Sequence, residues 1–178
     1  VGSEMCIRDR SKDYPKHFGD AYWVWAPQTI YDRKAKKYMI YFTLQRNDRK
    51  SLITYYAYAN KDFTGFESEP KQLFSAKYGS IDNDIIEKDG TYHLFYKGNT
   101  KDENGKEIKN GIQQATSKSL KGKWKEDFKY LDAYAGKTPV EGSSIFKLNG
   151  KDEYVLMYDM YTSGRYEYQT STDLYHFS

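Results

Sequence analysis

Residues 81–97 read IDNDIIEKDGTYHLFYK, two short runs rich in apolar and aromatic residues that are joined by a turn. Two other stretches follow the same plan: residues 25–42, WAPQTIYDRKAKKYMIYF, and residues 140–158, VEGSSIFKLNGKDEYVLMY. When Ala26, Asp82 and Glu141 are aligned, the spacings are 56 and 59 residues, close to the period of a propeller blade built from four short strands. The repeat therefore predicts an all-β fold, a β-propeller fragment of about three four-stranded blades.

The three predicted blades span approximately residues 22–76, 77–135 and 136–178. A propeller of four or more blades at this period needs well over about 200 residues, and the chain has 178, so we expect only part of a propeller. The first strand is predicted over residues 28–31, and no helix longer than one turn is predicted. Equivalent positions of the blades converge on a central channel. Asp82 and Glu141 are therefore expected to face each other across a shared pocket.

The composition excludes some classes of function. Aromatic residues make up 17% of the chain, with 19 tyrosines, which is typical of strands. The net charge of +3 comes from 28 basic and 25 acidic residues in mixed order. Because they form no basic stripe, nucleic acid is not expected as a partner. No apolar run approaches the roughly 20 residues needed to cross a bilayer, so a membrane is not expected either.

The first residues differ in composition from the rest of the chain. Residues 5–10, MCIRDR, resemble a translated sequencing-adaptor end. We therefore expect residues 1–10 to be a non-native tail and residues 11–178 to be the partial propeller, the alternative being a genuine N-terminal tail. If the tail is non-native, Cys6 is not a native residue and the remaining body has no cysteine. Disulfides and thiol catalysis are then excluded.

Asp82 stands at the start of a strand that is otherwise rich in isoleucine, and a second carboxylate, Asp84, follows it. One interpretation places Asp82 on the channel side, where a charged group can raise the pKa of a nearby acid. The alternative is a turn aspartate before a strand. Asp84 shares a face with Asp82 in an ideal strand and is the rival for the same role.

Glu141 precedes three small residues, Gly142-Ser143-Ser144. Small neighbours leave open space beside a carboxyl group, as a proton donor to a bulky leaving group needs. The alternative is a surface glutamate that follows the loop at residues 136–139. Cleavage of a glycosidic bond needs a pair of this kind, a proton donor and a carboxylate that acts on water or on the sugar.

Aromatic residues at the channel end of the predicted sheets offer flat apolar platforms for sugar rings: Tyr22, Trp23, Trp25 and Tyr78. Most such residues in a tyrosine-rich sheet belong to the core instead. Arg165 opens a strand beside Gly164 and either reaches toward the channel as the partner of a carboxylate or lies at the surface. The three histidines have no metal-ligand spacing, so no metal site is predicted.

These motifs resemble those of glycoside hydrolase family 43, five-bladed propeller enzymes that act on arabinose-, xylose- and galactose-containing glycans. Residues 25–28, WAPQ, are similar to the family's Trp-Ala-Pro-Glu motif, with Gln in place of Glu. Residues 81–86, IDNDII, are similar to Ile-Asp-Pro-Ser-Val-Phe, and residues 141–143, EGS, to Glu-Gly-Pro. The resemblance covers about residues 20–178 and implies blades 2–4 of five. It implies that Glu141 is the general acid and that Asp82 tunes and orients this acid.

The chain departs from the family pattern in two ways. The family's general base, an aspartate, lies in the first blade, upstream of Tyr22, and we find no counterpart here. No fifth blade follows residue 178 either. We therefore expect a glycosidase fragment that is inactive alone. The alternative is a noncatalytic glycan-binding propeller; a relative of the fructan- and sucrose-cleaving propellers is a third hypothesis, but the acidic motifs of that group are not visible.

The resemblance also implies a setting for the protein. We expect an oligosaccharide or polysaccharide as the substrate, no cofactor, and an extracellular or periplasmic location. The sequence gives no support for a calcium ion in the channel. It leaves open the sugar, the linkage, the stereochemical outcome and the oligomeric state.

Overall fold

The computed structural model describes residues 21–48, 52–98, 111–127 and 139–178. These residues form eleven β-strands and no helix, which confirms the all-β prediction. In this part of the chain no helix is long and apolar enough to cross a membrane. Cys6 and the predicted boundary at residue 10 lie outside the described residues.

The strands form three antiparallel sheets in which neighbours in sequence are neighbours in space. The first sheet consists of β1 (Ala21–Asp32), β2 (Lys37–Arg46), β3 (Leu52–Tyr58) and β4 (Lys71–Phe74). The second consists of β5 (Ile81–Lys88), β6 (Thr91–Lys97), β7 (Ile112–Ser117) and β8 (Lys125–Asp127). The third consists of β9 (Glu141–Lys147), β10 (Tyr154–Met160) and β11 (Arg165–Ser171). This arrangement is a partial β-propeller.

Strand β1 is longer than the sequence predicts, because it begins at Ala21 and not at residue 28. A proline ordinarily argues against the interior of a strand, since it has no N–H to donate to the ladder. Here Pro27 lies in an irregularity of an edge strand. At such a position the missing donor removes no ladder hydrogen bond, so β1 continues through it.

The same irregularity occurs at the start of each sheet. In the first sheet, two residues of β1, beginning with Ala26, oppose a single residue of β2. The equivalent bulges begin with Asp82 in β5 and with Gly142 in β9. These three residues have positive φ angles of 48°, 54° and 66°. A bulge bends its strand and re-aims the side chains beside it, so the three bulges shape the same end of the three sheets.

The bulges correct the alignment of the third repeat. Asp82 is equivalent to Gly142 and not, as predicted, to Glu141. Glu141 stands one place earlier, where it pairs with Asp159 of β10. The alignment is wrong by one residue because it matched two carboxyl residues by type, and the sequence pattern does not show where each bulge begins.

Two apolar cores lie between the sheets. The core between the first and second sheets includes Met39, Tyr41, Leu94 and Tyr96. The core between the second and third sheets includes Phe95, Ile112 and Leu156. All of these side chains are at most 1% exposed, and burying a side chain of this size contributes about 1.5–3 kcal/mol. The second sheet is therefore covered on both faces and fixes the positions of the other two.

Within the described residues, the third sheet is covered on one face only. Thr54 of β3 and Ile112 of β7 occupy equivalent positions and are fully buried. Tyr166 of β11 occupies the same position in the third sheet and is 71% exposed. Tyr168, on the same face, is 67% exposed.

Candidate active site

The bulges of β5 and β9 contact each other through Asp82. The backbone N–H of Gly142 donates a hydrogen bond to Asp82 Oδ2 over 2.9 Å. The hydroxyl of Ser143 donates to the Asp82 carbonyl oxygen over 2.5 Å. Aspartate tolerates the left-handed conformation better than most residues, because its short side chain bonds locally. The positive φ of Asp82 therefore turns its carboxyl group toward β9 at small cost.

Four charged groups meet at this point. Burial raises the pKa of Asp82, the hydrogen bond from Gly142 lowers it, and the nearby negative charge of Glu141 raises it. The ammonium group of Lys97 lowers the Asp82 pKa and the carboxylate of Asp159 raises it. The net effect is upward. The Glu141 carboxylate thus acts electrostatically on Asp82, while their position across a shared pocket stays a prediction.

Glu141 is held by one cation and remains accessible. Lys97 Nζ lies 3.2 Å from Glu141 Oε2. The Lys97 side chain is 12% exposed, whereas that of Glu141 is 40% exposed. The same ammonium group donates to the Tyr161 hydroxyl over 3.2 Å and lies 4.4 Å from the centroid of the Tyr161 ring. One oxygen of Glu141 is therefore fixed while the side chain can still meet a ligand.

Asp84, the predicted rival of Asp82, is occupied by structural hydrogen bonds. Its Oδ1 accepts from the Tyr41 hydroxyl over 3.1 Å and from its neighbour Ile85 N over 2.9 Å. Its Oδ2 accepts from Ile145 N over 2.8 Å. The side chain is 8% exposed, and burial raises its pKa despite these bonds. Asp84 therefore joins the first, second and third sheets and has little access to a substrate.

The predicted aromatic platform lies on β1, beside the bulge that is equivalent to that of Asp82. Trp23 is 49% exposed and stacks on Trp25 with ring centroids 5.7 Å apart and planes 12° apart. Tyr22 contacts Trp23 edge to face at 5.3 Å. Tyr78 is half-buried, with Lys77 Nζ 4.9 Å from its ring centroid. The two indoles form a flat surface large enough for a sugar ring.

Of the two positions predicted for Arg165, the structure has the one at the surface, and Lys97 is the cation beside Glu141. Arg165 Nη2 lies 2.8 Å from Glu167 Oε1, and its side chain is 63% exposed. Sequence reasoning missed Lys97, Asp159 and Tyr161. A usable signal existed for Lys97, since it is the last residue of β6 and pairs with the residue that precedes Asp82.

The described residues offer no metal site. They contain no group of three or more histidine, cysteine, aspartate or glutamate side chains placed to hold a metal ion. His93 is buried, and its Nδ1 accepts a hydrogen bond from Gln114 Nε2 over 3.0 Å. Burial lowers the His93 pKa to about 4, so this histidine is a neutral core residue at pH 7.

A family model related to glycoside hydrolase family 43 and described as "Probable glycosyl hydrolase domain" matches residues 13–178. The chain belongs to this family. The match includes the β5 bulge at Asp82 and the β9 bulge that follows Glu141. It agrees with the resemblance that the three sequence motifs indicated.

Solved structures of family-43 enzymes have the same fold. An endo-arabinase from Bacteroides thetaiotaomicron is 19% identical with a TM-score of 0.58, over 76% of this chain and 50% of the enzyme. A family-43 enzyme from Xanthomonas citri, solved with xylotriose, is 19% identical with a TM-score of 0.61, over 86% and 53%. An exo-β-1,3-galactanase from Phanerochaete chrysosporium, solved with β-1,3-galactotriose, is 16% identical with a TM-score of 0.60, over 90% and 35%.

The chain spans half or less of the length of two of these enzymes and about half of the third. At these levels of identity the likeness concerns the fold. No curated protein sequence matches the chain at a significant level.

Proposed function

We propose that this chain is part of a glycoside hydrolase that cleaves arabinose-, xylose- or galactose-containing glycans by acid/base catalysis with paired carboxylates. The observation that carries the proposal is the hydrogen bond from Gly142 N to Asp82 Oδ2. It brings the Asp82 carboxyl group next to Glu141, the residue before Gly142. A neighbouring carboxyl group can raise the pKa of a general acid, which is what the donor of a proton to a glycosidic oxygen needs.

Each carboxyl group has a distinct role in this proposal. Glu141 is the general acid that protonates the oxygen of the leaving group, because its side chain is 40% exposed and lies beside the small residues Gly142 and Ser143. Asp82 tunes and orients Glu141, since it is more enclosed and its pKa responds to the charge of Glu141. Asp84 has no chemical role, because its oxygens already accept from three donors.

The range of sugars is proposed from the relatives. The solved enzymes include an arabinase, an enzyme bound to xylotriose and a galactanase bound to galactotriose. The stacked indoles of Trp23 and Trp25 offer a platform for a sugar ring, with Tyr78 as a further aromatic contact. Arg165 is retained as a weaker candidate for substrate binding, because its ion pair with Glu167 is exposed and can be exchanged.

The isolated chain is proposed to be inactive. In family-43 enzymes the second catalytic carboxylate, which activates water, comes from the first blade, and the strands that the structure describes, from Ala21 onward, correspond to later blades. The 178-residue chain is therefore expected not to turn over aryl arabinofuranosides or xylosides. Measurable hydrolysis by the purified chain, abolished by Glu141→Gln, would contradict this part of the proposal.

The acid assignment is tested in a longer parent protein that supplies the remaining blades. Glu141→Gln is expected to lower kcat by about a hundredfold to ten-thousandfold, the usual contribution of a positioned acid. Glu87→Gln is the matched control, since Glu87 Oε1 accepts a turn hydrogen bond from Gly90 N and a glutamine oxygen can accept it too. Equal activity of wild type and Glu141→Gln would show that the acid is another residue.

A noncatalytic glycan-binding propeller is the second candidate, and the exposure of Trp23 favours it. Calorimetric titration of the chain with arabino-, xylo- and galacto-oligosaccharides tests it. A binding module should lose affinity in Trp23→Ala and keep it in Glu141→Gln. Together with an inactive parent protein, that outcome would favour the binding module over the enzyme.

A further inference from the structure

Lys97 connects the second and third sheets at the candidate active site. It is the last residue of β6, while its two polar partners lie on β9 and just after β10. Its Nζ is 3.2 Å from Glu141 Oε2 and 3.2 Å from the Tyr161 hydroxyl. Because the side chain is only 12% exposed, this ion pair is better shielded from solvent than a surface pair.

The residue equivalent to Lys97 in the first sheet also contacts the neighbouring sheet. Thr43 is its equivalent in the first sheet, because each pairs with the residue just before a bulge. Thr43 Oγ1 accepts from Asn83 Nδ2 over 3.0 Å and donates to the Ser80 carbonyl oxygen over 3.1 Å. Both partners of Thr43 belong to the second sheet or to the segment that leads into it. The residue opposite the start of a bulge thus contacts the next sheet in both cases. In the first sheet it is the neutral Thr43, and in the second sheet it is the charged Lys97.

We propose that Lys97 is a positioning residue for the general acid Glu141. The inference rests on the function proposed above for Glu141. Lys97 holds Oε2, so the transferable proton is carried by Oε1, the oxygen that is left to meet the leaving group. Tyr161 restrains the flexible lysine in turn, because its hydroxyl accepts from Nζ and its ring lies beneath the ammonium group.

The surrounding charges explain why a cation is needed here. Three carboxyl groups come together here, those of Asp82 in β5, Glu141 in β9 and Asp159 in β10. The charges of Glu141 and Asp159 raise the Asp82 pKa, and the ammonium group of Lys97 in β6 lowers it. Without the lysine, repulsion between the carboxylates would push Glu141 away from Asp82. The Asp82 pKa would rise further, because Lys97 now lowers it.

The first experiment uses the 178-residue chain and needs no activity. The carboxyl carbon of Asp82 is followed by NMR as a function of pH in wild type, Lys97→Met and Lys88→Met. Lys88 is the matched control, because it is a strand lysine with 18% exposure that pairs with Asp152 instead. We expect the Asp82 pKa to rise in Lys97→Met and to stay at its wild-type value in Lys88→Met. A folded Lys97→Met chain with an unchanged Asp82 titration would overturn the proposal.

The second experiment measures steady-state kinetics in the longer parent protein. Lys97→Met is expected to lower kcat by about tenfold to a hundredfold with little change in KM, the cost of a misplaced catalytic group. Lys97→Arg should restore part of kcat, and Tyr161→Phe should cost less than Lys97→Met because the ring remains. A raised KM with unchanged kcat would overturn the proposal, since it would make Lys97 a substrate ligand.

The two experiments separate failure of the inference from failure of the proposed function. If the parent protein has no glycosidase activity, the Asp82 titration still decides whether Lys97 controls the carboxyl cluster. If Lys97→Met does not fold, Lys97→Gln, which also removes the charge but keeps a polar side chain, takes its place in both experiments. Wild-type kcat in a folded Lys97→Gln variant would overturn the proposal.

Discussion

Asp82 and Asp84 lie two residues apart on β5, and both accept a hydrogen bond from a backbone N–H of β9. Asp82 is in a bulge with a φ of 54° and interacts with two other carboxyl groups and Lys97. Asp84 lies just past the bulge, is 8% exposed and also accepts from Tyr41. One carboxyl group can therefore change its protonation state at an open site, while the other holds three sheets together.

The difference shows that the role of a carboxyl group depends on the hydrogen-bond donors around its two oxygens. The sequence motif that contains both aspartates does not reveal it. Asp84 Oδ1 and Oδ2 both face N–H or O–H groups, so neither can become a donor without losing a bond. For Asp82, the hydrogen bond from Gly142 engages Oδ2 alone. A substitution that turns one oxygen into an NH2 group should therefore affect the two positions very differently.

The largest expected effect is that of Asp84→Asn. An asparagine would direct its NH2 group either at Ile145 N, leaving that donor unpaired, or at Ile85 N, which keeps only the Tyr41 hydroxyl as an acceptor. We expect the free energy of unfolding to fall by about 2–4 kcal/mol, because the bonds to a buried carboxylate are stronger than those to an amide and one buried donor loses its partner. Asp82→Asn is the matched control and should cost under about 1 kcal/mol at pH 7, because an amide oxygen can accept from Gly142 N. Urea denaturation measures both, and equal losses would refute the contrast.

The next effect concerns the hydroxyl groups that support each aspartate. Tyr41→Phe removes the buried donor to Asp84 and is expected to cost about 1.5–3 kcal/mol, the range for hydrogen bonds to charged groups. Ser143→Ala removes a neutral bond to the Asp82 carbonyl and is expected to cost about 0.5–1.5 kcal/mol. Thermal and urea unfolding of the two variants shows which of them loses more free energy of unfolding. The reverse order would mean that the Asp82 bulge, not Asp84, organises the junction of the sheets.

A smaller effect is expected at the bulges themselves. Ala26 and Gly142 are each the first residue of a bulge, and their φ angles are 48° and 66°. A left-handed conformation costs a residue with a Cβ about 1–2 kcal/mol, part of which the flexibility of glycine in the unfolded chain offsets. Ala26→Gly should therefore raise stability by about 0.5 kcal/mol. Gly142→Ala should lower it by a similar amount, since the new Cβ would meet Asp159 Cβ at 3.5 Å and Asp159 N at 3.9 Å, both ordinary contacts.

The smallest effect is a dependence on pH. Burial raises the folded-state pKa of Asp82, so its contribution to stability is fully present below the unfolded pKa of about 3.9 and is lost as the pH rises through the folded value. Asp82→Asn removes this loss. The stability of the variant relative to wild type should therefore increase from pH 3 to pH 7. If the stability of the variant relative to wild type falls from pH 3 to pH 7, burial does not destabilise the ionised form of Asp82.

Local patterns in the sequence predicted the elements around the site well. The runs on both sides of Gly90 became β5 and β6, because strand alternation and turn residues act over a few neighbours. The repeat also pointed to Asp82 and Glu141, whose roles as a pair stay a prediction. The alignment of Glu141 was wrong by one residue, since a bulge depends on how a strand meets its partner.

The sequence by itself determined the strands, the repeat and the choice of Asp82 and Glu141 as the carboxyl groups of interest, because these depend on short-range periodicity and on residue type. Only the tertiary structure decided that Asp84 is enclosed by donors from other sheets, that Lys97 pairs with Glu141 while Arg165 pairs with Glu167, and that Glu141 is held by one oxygen. These assignments depend on donors and charges from other sheets, such as Tyr41 and Ile145 at Asp84. Such partners are distant in sequence and meet only when the apolar faces of the sheets pack together.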